Sequence, residues 1–244
     1  NSLKTSTKHL IEELKHENVE SFQVPGFENA VQLEEKKNVF LTSAFKDGLF
    51  EVQDAGSQKI GEFLDVKPGM RVVDACAGAG GKTLHLAALM ENKGQIIAMD
   101  IHGWKLAELK RRAKRAGAHN IETREITDNK VIKRLHEKAD RLLIDAPCSG
   151  LGVLKRNPDS KWKIDQDFID RIRKEQETIL QDYSKIIKKG GKMVYATCSI
   201  LPSENNEQVE NFLKNNPDFK LVKEEKVMPS TGFDGFYMAL IERV

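Results

Sequence analysis

Short apolar runs alternate with longer one-faced stretches over residues 67–197. The runs are rich in Val, Ile and Leu, as buried strands are, and lie at residues 71–74, 95–100, 121–127, 141–145 and 192–197. The stretches between them carry apolar residues on one helical face and lie at residues 82–91, 104–116, 129–137 and 167–188. This alternation predicts an α/β fold with a mostly parallel, doubly wound sheet and helices on both of its faces.

The end of the chain has a different pattern. Residues 219–225 and 236–242 are strand-like, and no helical stretch separates them. The connecting residues include Pro229, Gly232 and Gly235, which favour a turn. We therefore predict a C-terminal antiparallel hairpin that adds one antiparallel strand to the sheet.

The periodic segments before residue 67 are shorter. They predict helices at 6–16 and 49–64 and strands at 21–24, 30–33 and 39–42. A Lys67-Pro68-Gly69 turn follows and is typical of a boundary. We predict two domains, a small N-terminal α/β module at residues 1–66 and a larger domain at residues 67–244.

Composition narrows the class of protein. Apolar residues make up 39% of the 244 positions and charged residues 31%, which favours a globular chain over a disordered one. No apolar run approaches the length of a membrane span, so we expect no membrane partner. Three cysteines indicate a reducing, cytoplasmic setting. Because the chain starts at Asn1 rather than Met, we expect it to begin inside a longer or processed chain.

Charge alone does not identify a partner. Lys and Arg total 39 against 37 Asp and Glu, and the net charge of +2 lacks the excess typical of a nucleic-acid binder. Basic residues do cluster at 105–115 and again around Trp162, at Lys155, Arg156, Lys161 and Lys163. A solvated face explains either cluster. For the second cluster, the aromatic ring of Trp162 makes nucleic-acid binding an equally reasonable interpretation.

A glycine-rich loop follows the first strand of the larger domain, at residues 74–83. Its glycines allow a tight turn, and the helix after it directs backbone amides at a ligand. Asp100 ends the next strand, where an acid can accept hydrogen bonds from ribose hydroxyls. The spacing matches neither the dinucleotide nor the Walker loop. It predicts a nucleoside-cofactor site, with a packing turn and a solvated acid as the alternative.

Two further acids end neighbouring strands. Asp128 follows the third strand and Asp145 ends the fourth, so both fall at the sheet edge where ligands bind in doubly wound folds. We include both in the cofactor site. For Asp128 the alternative is a cap on the helix that follows it.

Two of the three cysteines also end strands. Cys148 follows the fourth strand and Cys198 the fifth, and in the usual doubly wound order these strands are adjacent. Both thiols should then open into one crevice. No Cys-x-x-Cys pair or suitable histidine spacing indicates zinc, so we predict no metal. Gly-x-Ser-x-Gly, the mark of many serine hydrolases, is absent.

A thiolate beside a nucleoside cofactor suits one reaction in particular. Carbon-5 of a pyrimidine is a poor nucleophile until a thiolate adds at carbon-6. The activated carbon-5 can then take the sulfonium methyl of S-adenosylmethionine. Loss of the carbon-5 proton and of the thiolate completes this covalent route.

These motifs together resemble those of the Sun family of RNA (cytosine-5) methyltransferases. Within that family, the most similar type acts on the small-subunit ribosomal RNA of bacteria. The most specific motifs are Asp145-Ala146-Pro147-Cys148 and Thr197-Cys198-Ser199. Residues 76–83, 48–54, 157–162, 203–206 and 234–237 also agree. The resemblance covers nearly the whole chain. Ala79 departs from the usual Pro of the family, and Lys105 stands in place of its Arg.

The resemblance implies a class I, Rossmann-like methyltransferase domain at 67–244 and an RNA-binding module at 1–66. It implies S-adenosyl-L-methionine as cofactor, Cys198 as nucleophile and Cys148 in product release. The implied cofactor site consists of Cys76, Ala77, Gly78, Ala79, Gly80, Gly81, Lys82, Asp100, Asp128 and Asp145. We expect a cytoplasmic monomer that methylates cytosine in RNA, with 16S ribosomal RNA favoured and transfer RNA as the alternative.

Three other functions would each explain only some of these motifs. A DNA (cytosine-5) methyltransferase would use Cys148 as nucleophile and leave the Cys198 motif unused. An NAD-dependent oxidoreductase would use the loop and Asp100 but neither cysteine. A non-catalytic RNA-binding protein would not require Cys198, Cys148 and Asp145 together.

Overall fold

A computed structural model describes the backbone of residues 1–244 and all side chains except that of Thr231. The strands are β1 (Ser21–Gln23), β2 (Val31–Leu33), β3 (Arg71–Asp74), β4 (Gln95–Asp100), β5 (Ile121–Glu125), β6 (Ala139–Asp145), β7 (Ile187–Thr197), β8 (Phe219–Val227) and β9 (Phe236–Arg243). The α-helices are α1 (Thr7–His16), α2 (Ser43–Lys46), α3 (Ala55–Phe63), α4 (Gly81–Leu89), α5 (Gly103–Ala116), α6 (Asn129–Lys133), α7 (Ser160–Lys163), α8 (Gln166–Tyr183) and α9 (Asn206–Asn215).

The large sheet has seven strands in the order β5-β4-β3-β6-β7-β9-β8. Strands β3 to β7 pair in parallel, and β9 is antiparallel to both of its neighbours. The predicted doubly wound sheet and its C-terminal hairpin are therefore confirmed. The strand order reverses beside β3, with β4 on one side and β6 on the other, and ligands bind at such a switch point.

Helices cover both faces of the sheet because alternate strand residues point to opposite sides. On one face, α3, α4 and α5 bury Ile60, Leu84 and Leu109 against the sheet. On the other face, α6, α8 and α9 bury side chains of the same kind, namely Ile132, Leu180 and Val209. The sheet is buried on both sides and forms a rigid support for the loops at its edge.

The N-terminal segment has a small core of its own. It is formed by Leu10, Leu14, Val19, Val39 and Ala44. The prediction of a strand at 39–42 was wrong, because Val39–Leu41 is a 3₁₀ turn. The side chain of Asn38 accepts a hydrogen bond from the Phe40 amide there, and such local bonds compete with strand pairing.

The predicted helix at 49–64 is shorter in the structure. Asp54 accepts a hydrogen bond from the Gly56 amide at 2.8 Å and so begins α3 at Ala55. Helix α3 was predicted within the N-terminal zone, but its apolar face packs into the core of the large sheet. The division of the chain at residue 66 stays a prediction.

Helix α9 was not predicted. Its buried Val209 and Phe212 are three positions apart, and Glu207 lies in its first turn, so a sequence signal was present. Asn205 precedes the helix and is a favoured residue type at that position, but its side chain forms no cap hydrogen bond.

Three loops meet at Gly152, beyond the carboxyl ends of β6 and β7. The Gly152 amide donates to the Cys198 carbonyl at 2.9 Å, and the Gly152 carbonyl accepts from the Gly235 amide at 2.8 Å. A Cβ atom at position 152 would lie 2.2 Å from the Gly235 carbonyl oxygen and 2.7 Å from that of Cys198. Only glycine therefore allows the three loops to approach this closely.

We expect Gly152→Ala to lower the free energy of unfolding by about 1–3 kcal/mol, the usual range for overpacking a tight site. Gly81→Ala is the matched control, since a Cβ atom there meets nothing within 4 Å. Urea unfolding followed by circular dichroism measures both variants. Equal stability of the two variants would contradict the crowding at Gly152.

Candidate active site

A cavity of about 660 Å³ lies at the carboxyl ends of β3, β4, β6 and β7. Seven of the residues predicted for the cofactor site line it, namely Cys76, Ala77, Gly78, Gly81, Lys82, Asp100 and Asp145. Both predicted catalytic residues, Cys148 and Cys198, line it as well. The structure thus brings the candidate loop, two acids and two thiols to one crevice at the switch point of the sheet.

The glycine-rich loop follows β3 and leads into α4. Gly78 and Gly80 have φ angles of 54° and 88°, in the left-handed region. A Cβ atom at Gly80 would also lie 2.5 Å from Cγ of Leu109. Helix α4 begins at Gly81 without a side-chain cap, so its first amides are free for a ligand. Ala79 and Gly80 shape the turn but do not line the cavity.

Asp100 ends β4 and is only 7% exposed. One carboxylate oxygen accepts from the Gly78 amide at 2.9 Å, and the other accepts from the His102 amide at 2.8 Å. Each oxygen keeps a second lone pair. The carboxylate can therefore hold the glycine loop and still accept hydrogen bonds from a diol in the cavity.

Asp128 does not reach the cavity. Its side chain is exposed and accepts from the Lys130 amide at 2.7 Å, which caps α6. The helix-cap alternative describes its contacts, and a cofactor contact of Asp128 stays a prediction without support from this arrangement.

The two cysteines face each other because β6 and β7 are hydrogen-bonded neighbours, with Asp145 opposite Ala196. The Cys148 and Cys198 sulfur atoms are 3.2 Å apart. A hydrogen bond from Cys148 lowers the pKa of Cys198, and the nearby Lys82 ammonium adds to this against burial and Asp145. The same hydrogen bond and burial raise the pKa of Cys148 well above its usual value. Cys198 is therefore the thiol that ionises first.

Lys82 and Asp145 form an ion pair beside the thiols. The Lys82 Nζ atom lies 2.6 Å from Oδ2 of Asp145. Burial would lower the pKa of Lys82, but the attraction of Asp145 outweighs it and the pKa is raised. Lys82 thus remains a cation at neutral pH and stabilises a thiolate at Cys198.

Asp74 is a buried acid in the lining of the cavity. Its Oδ2 atom accepts from the Thr83 hydroxyl at 2.7 Å, while Oδ1 has no hydrogen-bond partner among the described side chains. Burial raises the pKa of Asp74 to about 7, although the Thr83 hydrogen bond opposes this. A partly protonated carboxyl therefore lies behind the glycine loop at neutral pH.

Sequence reasoning missed two connections around the site. Arg112 of α5 bridges Glu51 and the Ala79 carbonyl, at 3.0 and 2.8 Å. This ties the N-terminal segment to the glycine loop. Glu204 is buried between the two cysteine loops and accepts from Ser149 and Gln176. Both acids lie in motifs that carried the family resemblance, which was the available signal.

Some residues of the two predicted basic clusters form ion pairs within the protein, whereas others face solvent. Arg156 lies 2.5 Å from Asp234, and Arg115 lies 2.5 Å from Glu51, so both already have protein partners. Trp162 is 80% exposed, with the Lys161 ammonium 4.9 Å from its ring centre. The α7 segment thus presents an aromatic ring and a cation to solvent.

Among the described side chains, no group of three or more His, Cys, Asp or Glu residues is arranged to hold a metal ion. No helix within the described chain combines the length and apolar character needed to cross a membrane.

The strand order, the loop after β3 and the cavity at the switch point define a class I, Rossmann-like methyltransferase fold. The family model described as 16S rRNA methyltransferase RsmB/F matches residues 62–241. The chain belongs to this family.

Individual relatives agree with this assignment. The chain is 36% identical over 221 residues to the probable ribosomal RNA small subunit methyltransferase B of Bacillus subtilis, covering 90% of this chain and 49% of that protein. It is 34% identical to the enzyme so named in Proteus mirabilis, covering 100% of this chain and 58% of that one. A solved methyltransferase homolog from Pyrococcus horikoshii has a TM-score of 0.86 at 28% identity, with 100% and 84% of the chains covered. The chain spans about half the length of the curated relatives it matches.

The raised pKa of Asp74 makes stability depend on pH. Since the folded pKa of about 7 lies above the usual value of 3.8, the stabilising effect of protonated Asp74 is present at low pH and is lost as pH rises toward 7. We expect Asp74→Asn to gain stability relative to the parent over this interval. Urea unfolding at a series of pH values measures the difference.

Asp167→Asn, at an exposed acid of α8, is the control and should follow the parent curve. A constant difference between Asp74→Asn and the parent from pH 4 to pH 8 would rule out this titration.

Proposed function

We propose that this chain transfers a methyl group from S-adenosyl-L-methionine to carbon-5 of a cytosine in RNA. The observation that carries the proposal is the pair of thiols at 3.2 Å beside a cavity of nucleoside-cofactor size. The favoured substrate is 16S ribosomal RNA, in line with the family description, and transfer RNA is the alternative.

The cavity fits the proposed cofactor. The uncapped amides at the start of α4 and the free lone pairs of Asp100 match an amino-acid carboxylate and a ribose diol. The glycine-rich loop and the start of α4 form one wall of the cavity, through Cys76, Ala77, Gly78, Gly81 and Lys82. Bound there, S-adenosylmethionine supplies an electrophilic methyl group.

Cys198 acts as the nucleophile in this mechanism. Its thiolate adds to carbon-6 of the cytosine, and the electrons of the carbon-5–carbon-6 double bond move into the ring and make carbon-5 nucleophilic. After methylation, a base such as water takes the carbon-5 proton, the electron pair left behind re-forms the carbon-5–carbon-6 double bond, and the sulfur of Cys198 leaves carbon-6 as a thiolate. The Lys82 cation near Cys198 favours the thiolate both at attack and at departure.

Cys148 acts in the release step. Its raised pKa keeps the sulfur protonated, so its S–H group donates a hydrogen bond to Cys198. A thiolate that leaves carbon-6 is stabilised by this donor. The opposite assignment, with Cys148 as nucleophile, would require the thiol of higher pKa to ionise first. The order of the two thiol pKa values therefore favours the RNA-type mechanism over the DNA-type mechanism. In an NAD-dependent oxidoreductase, neither thiol would have a role.

RNA would lie across the crevice and the exposed α7 segment. Trp162 offers a stacking surface and Lys161 a phosphate contact. We propose residues 1–66 as an RNA-binding module and residues 67–244 as the catalytic domain of a cytoplasmic enzyme. Arg112 and Glu51 would transmit the position of that module to the glycine loop.

Asp100→Ala should weaken S-adenosylmethionine binding at least tenfold, since each lost charge-assisted hydrogen bond contributes about 1.5–3 kcal/mol. Asp167→Ala is the matched control, because that carboxylate is exposed on α8 and lies outside the cavity. Titration calorimetry with S-adenosylmethionine and with NAD measures both ligands. Tight NAD binding without an S-adenosylmethionine signal would overturn the cofactor assignment.

The two cysteine variants test the catalytic roles. Cys198→Ala should lose turnover and form no covalent RNA adduct. Cys148→Ala should attack and transfer the methyl group, then accumulate protein linked to methylated RNA. A denaturing gel with radiolabelled RNA detects the adduct, because detergent does not break the carbon–sulfur bond.

The double variant is the control and should form no adduct. Each Cys→Ala change removes one sulfur atom and should cost about 1 kcal/mol of stability, so the variants should fold. Adducts in Cys198→Ala but not in Cys148→Ala would reverse the roles of the two thiols.

A further inference from the structure

Glu204 is a charged side chain with no exposed surface. It ends the 3₁₀ turn Pro202–Glu204, which follows the Cys198 loop. Its Oε1 atom accepts from the Ser149 amide at 2.8 Å and from Gln176 Nε2 at 3.0 Å. Its Oε2 atom accepts from the Ser149 hydroxyl at 2.5 Å and from the Ser199 hydroxyl.

These four donors satisfy the carboxylate from several directions. A buried charge is costly unless it is fully hydrogen-bonded, so the site is stable only when all of its partners are in place. Glu204 does not line the cavity, and its oxygens are occupied by protein donors. It is therefore placed to fix its neighbours rather than to exchange a proton with a substrate.

Its neighbours are the residues directly after the two thiols. Ser149 follows Cys148, and Ser199 follows Cys198. The two serine hydroxyls also lie 3.2 Å from each other. Glu204 thus joins the loop after β6 to the loop after β7 at the first position beyond each reactive sulfur.

Adjacent contacts reinforce this junction. Gln176 of α8 donates to the Pro147 carbonyl at 2.9 Å as well as to Glu204. Asn205 accepts from the Thr197 hydroxyl at 2.5 Å and donates to the Ser199 carbonyl at 3.0 Å. Both cysteine loops are therefore anchored to the same short segment, residues 204–205.

We propose that Glu204 is a positioning residue that sets the separation of the Cys148 and Cys198 sulfur atoms. A fixed separation maintains the S–H hydrogen bond between them. The catalytic consequence rests on the proposed function, whereas the effect on the sulfur separation does not.

Glu204→Met tests the proposal, since Met fills a similar volume but accepts none of the four hydrogen bonds. Two quantities are measured in the whole chain. The first is the equilibrium constant for a Cys148–Cys198 disulfide in a glutathione buffer, where oxidised glutathione takes up the two thiol hydrogens as it is reduced. The second is the kcat of RNA methylation together with the KM for S-adenosylmethionine.

We expect kcat to fall about tenfold to a hundredfold, as it does when reacting groups are misplaced by an ångström. The disulfide equilibrium constant should fall about tenfold, because loosened loops lower the effective concentration of one sulfur at the other. KM for the cofactor should stay unchanged, because Glu204 does not touch the glycine loop. Glu204→Gln should restore most of both values, since its amide can accept at one end and donate to the serine hydroxyls at the other. Glu207→Met, at an exposed position of α9, is the matched control and should behave as the parent.

If Glu204→Met does not fold, the Ser149→Ala/Ser199→Ala double variant replaces it, since it removes only two hydroxyl groups. A disulfide equilibrium constant equal to that of the parent in the folded variant would overturn the positioning role. A lowered constant with normal methylation would support positioning and overturn the proposed thiol mechanism. The two failures are thus separated by different readouts.

Discussion

The parallel pairing of β6 with β7 is the interaction on which the rest of the site depends. It places Asp145 beside Ala196, so the loops that leave both strands begin at the same edge of the sheet. Cys148 and Cys198 lie in those loops and meet at 3.2 Å. Hydrophobic cores on both faces of the sheet bury these strands. Because the cores are tightly packed, the strands hold the two sulfur atoms in fixed positions.

Charge around the sulfur pair differentiates two chemically identical groups. Lys82 lies close enough to Cys198 to favour its ionisation, and Asp145 holds that ammonium in place. The pKa of Cys148 is raised well above its usual value by its contact with Cys198 and by burial, so this thiol stays protonated. Cys198 is thus the more readily ionised thiol, which is the difference that the proposed attack by Cys198 requires.

Much of this architecture could be predicted from the chain, because strand and helix periods follow directly from burial on two faces. β3 and β4 have the predicted bounds. The 3₁₀ turn at Val39–Leu41 was wrongly predicted as a strand, since the hydrogen bond to the side chain of Asn38 redirects the backbone locally. The positions of Asp100 and Asp128 had the same sequence signal, yet only Asp100 turns into the cavity. The direction in which each carboxylate points depends on contacts between distant segments of the chain. Such contacts follow from tertiary packing and cannot be read from sequence periodicity.

The direct test of the central claim is the ionisation order of the two thiols in the unaltered chain. Alkylation by iodoacetamide across a pH series, read by mass spectrometry of the separate cysteine peptides, reports the thiolate fraction of each sulfur. Cys198 should react first, with a midpoint below that of an ordinary thiol, while Cys148 resists alkylation until much higher pH. Earlier reaction of Cys148, or a shared midpoint at the ordinary value, would contradict the assignment of Cys198 as the nucleophile.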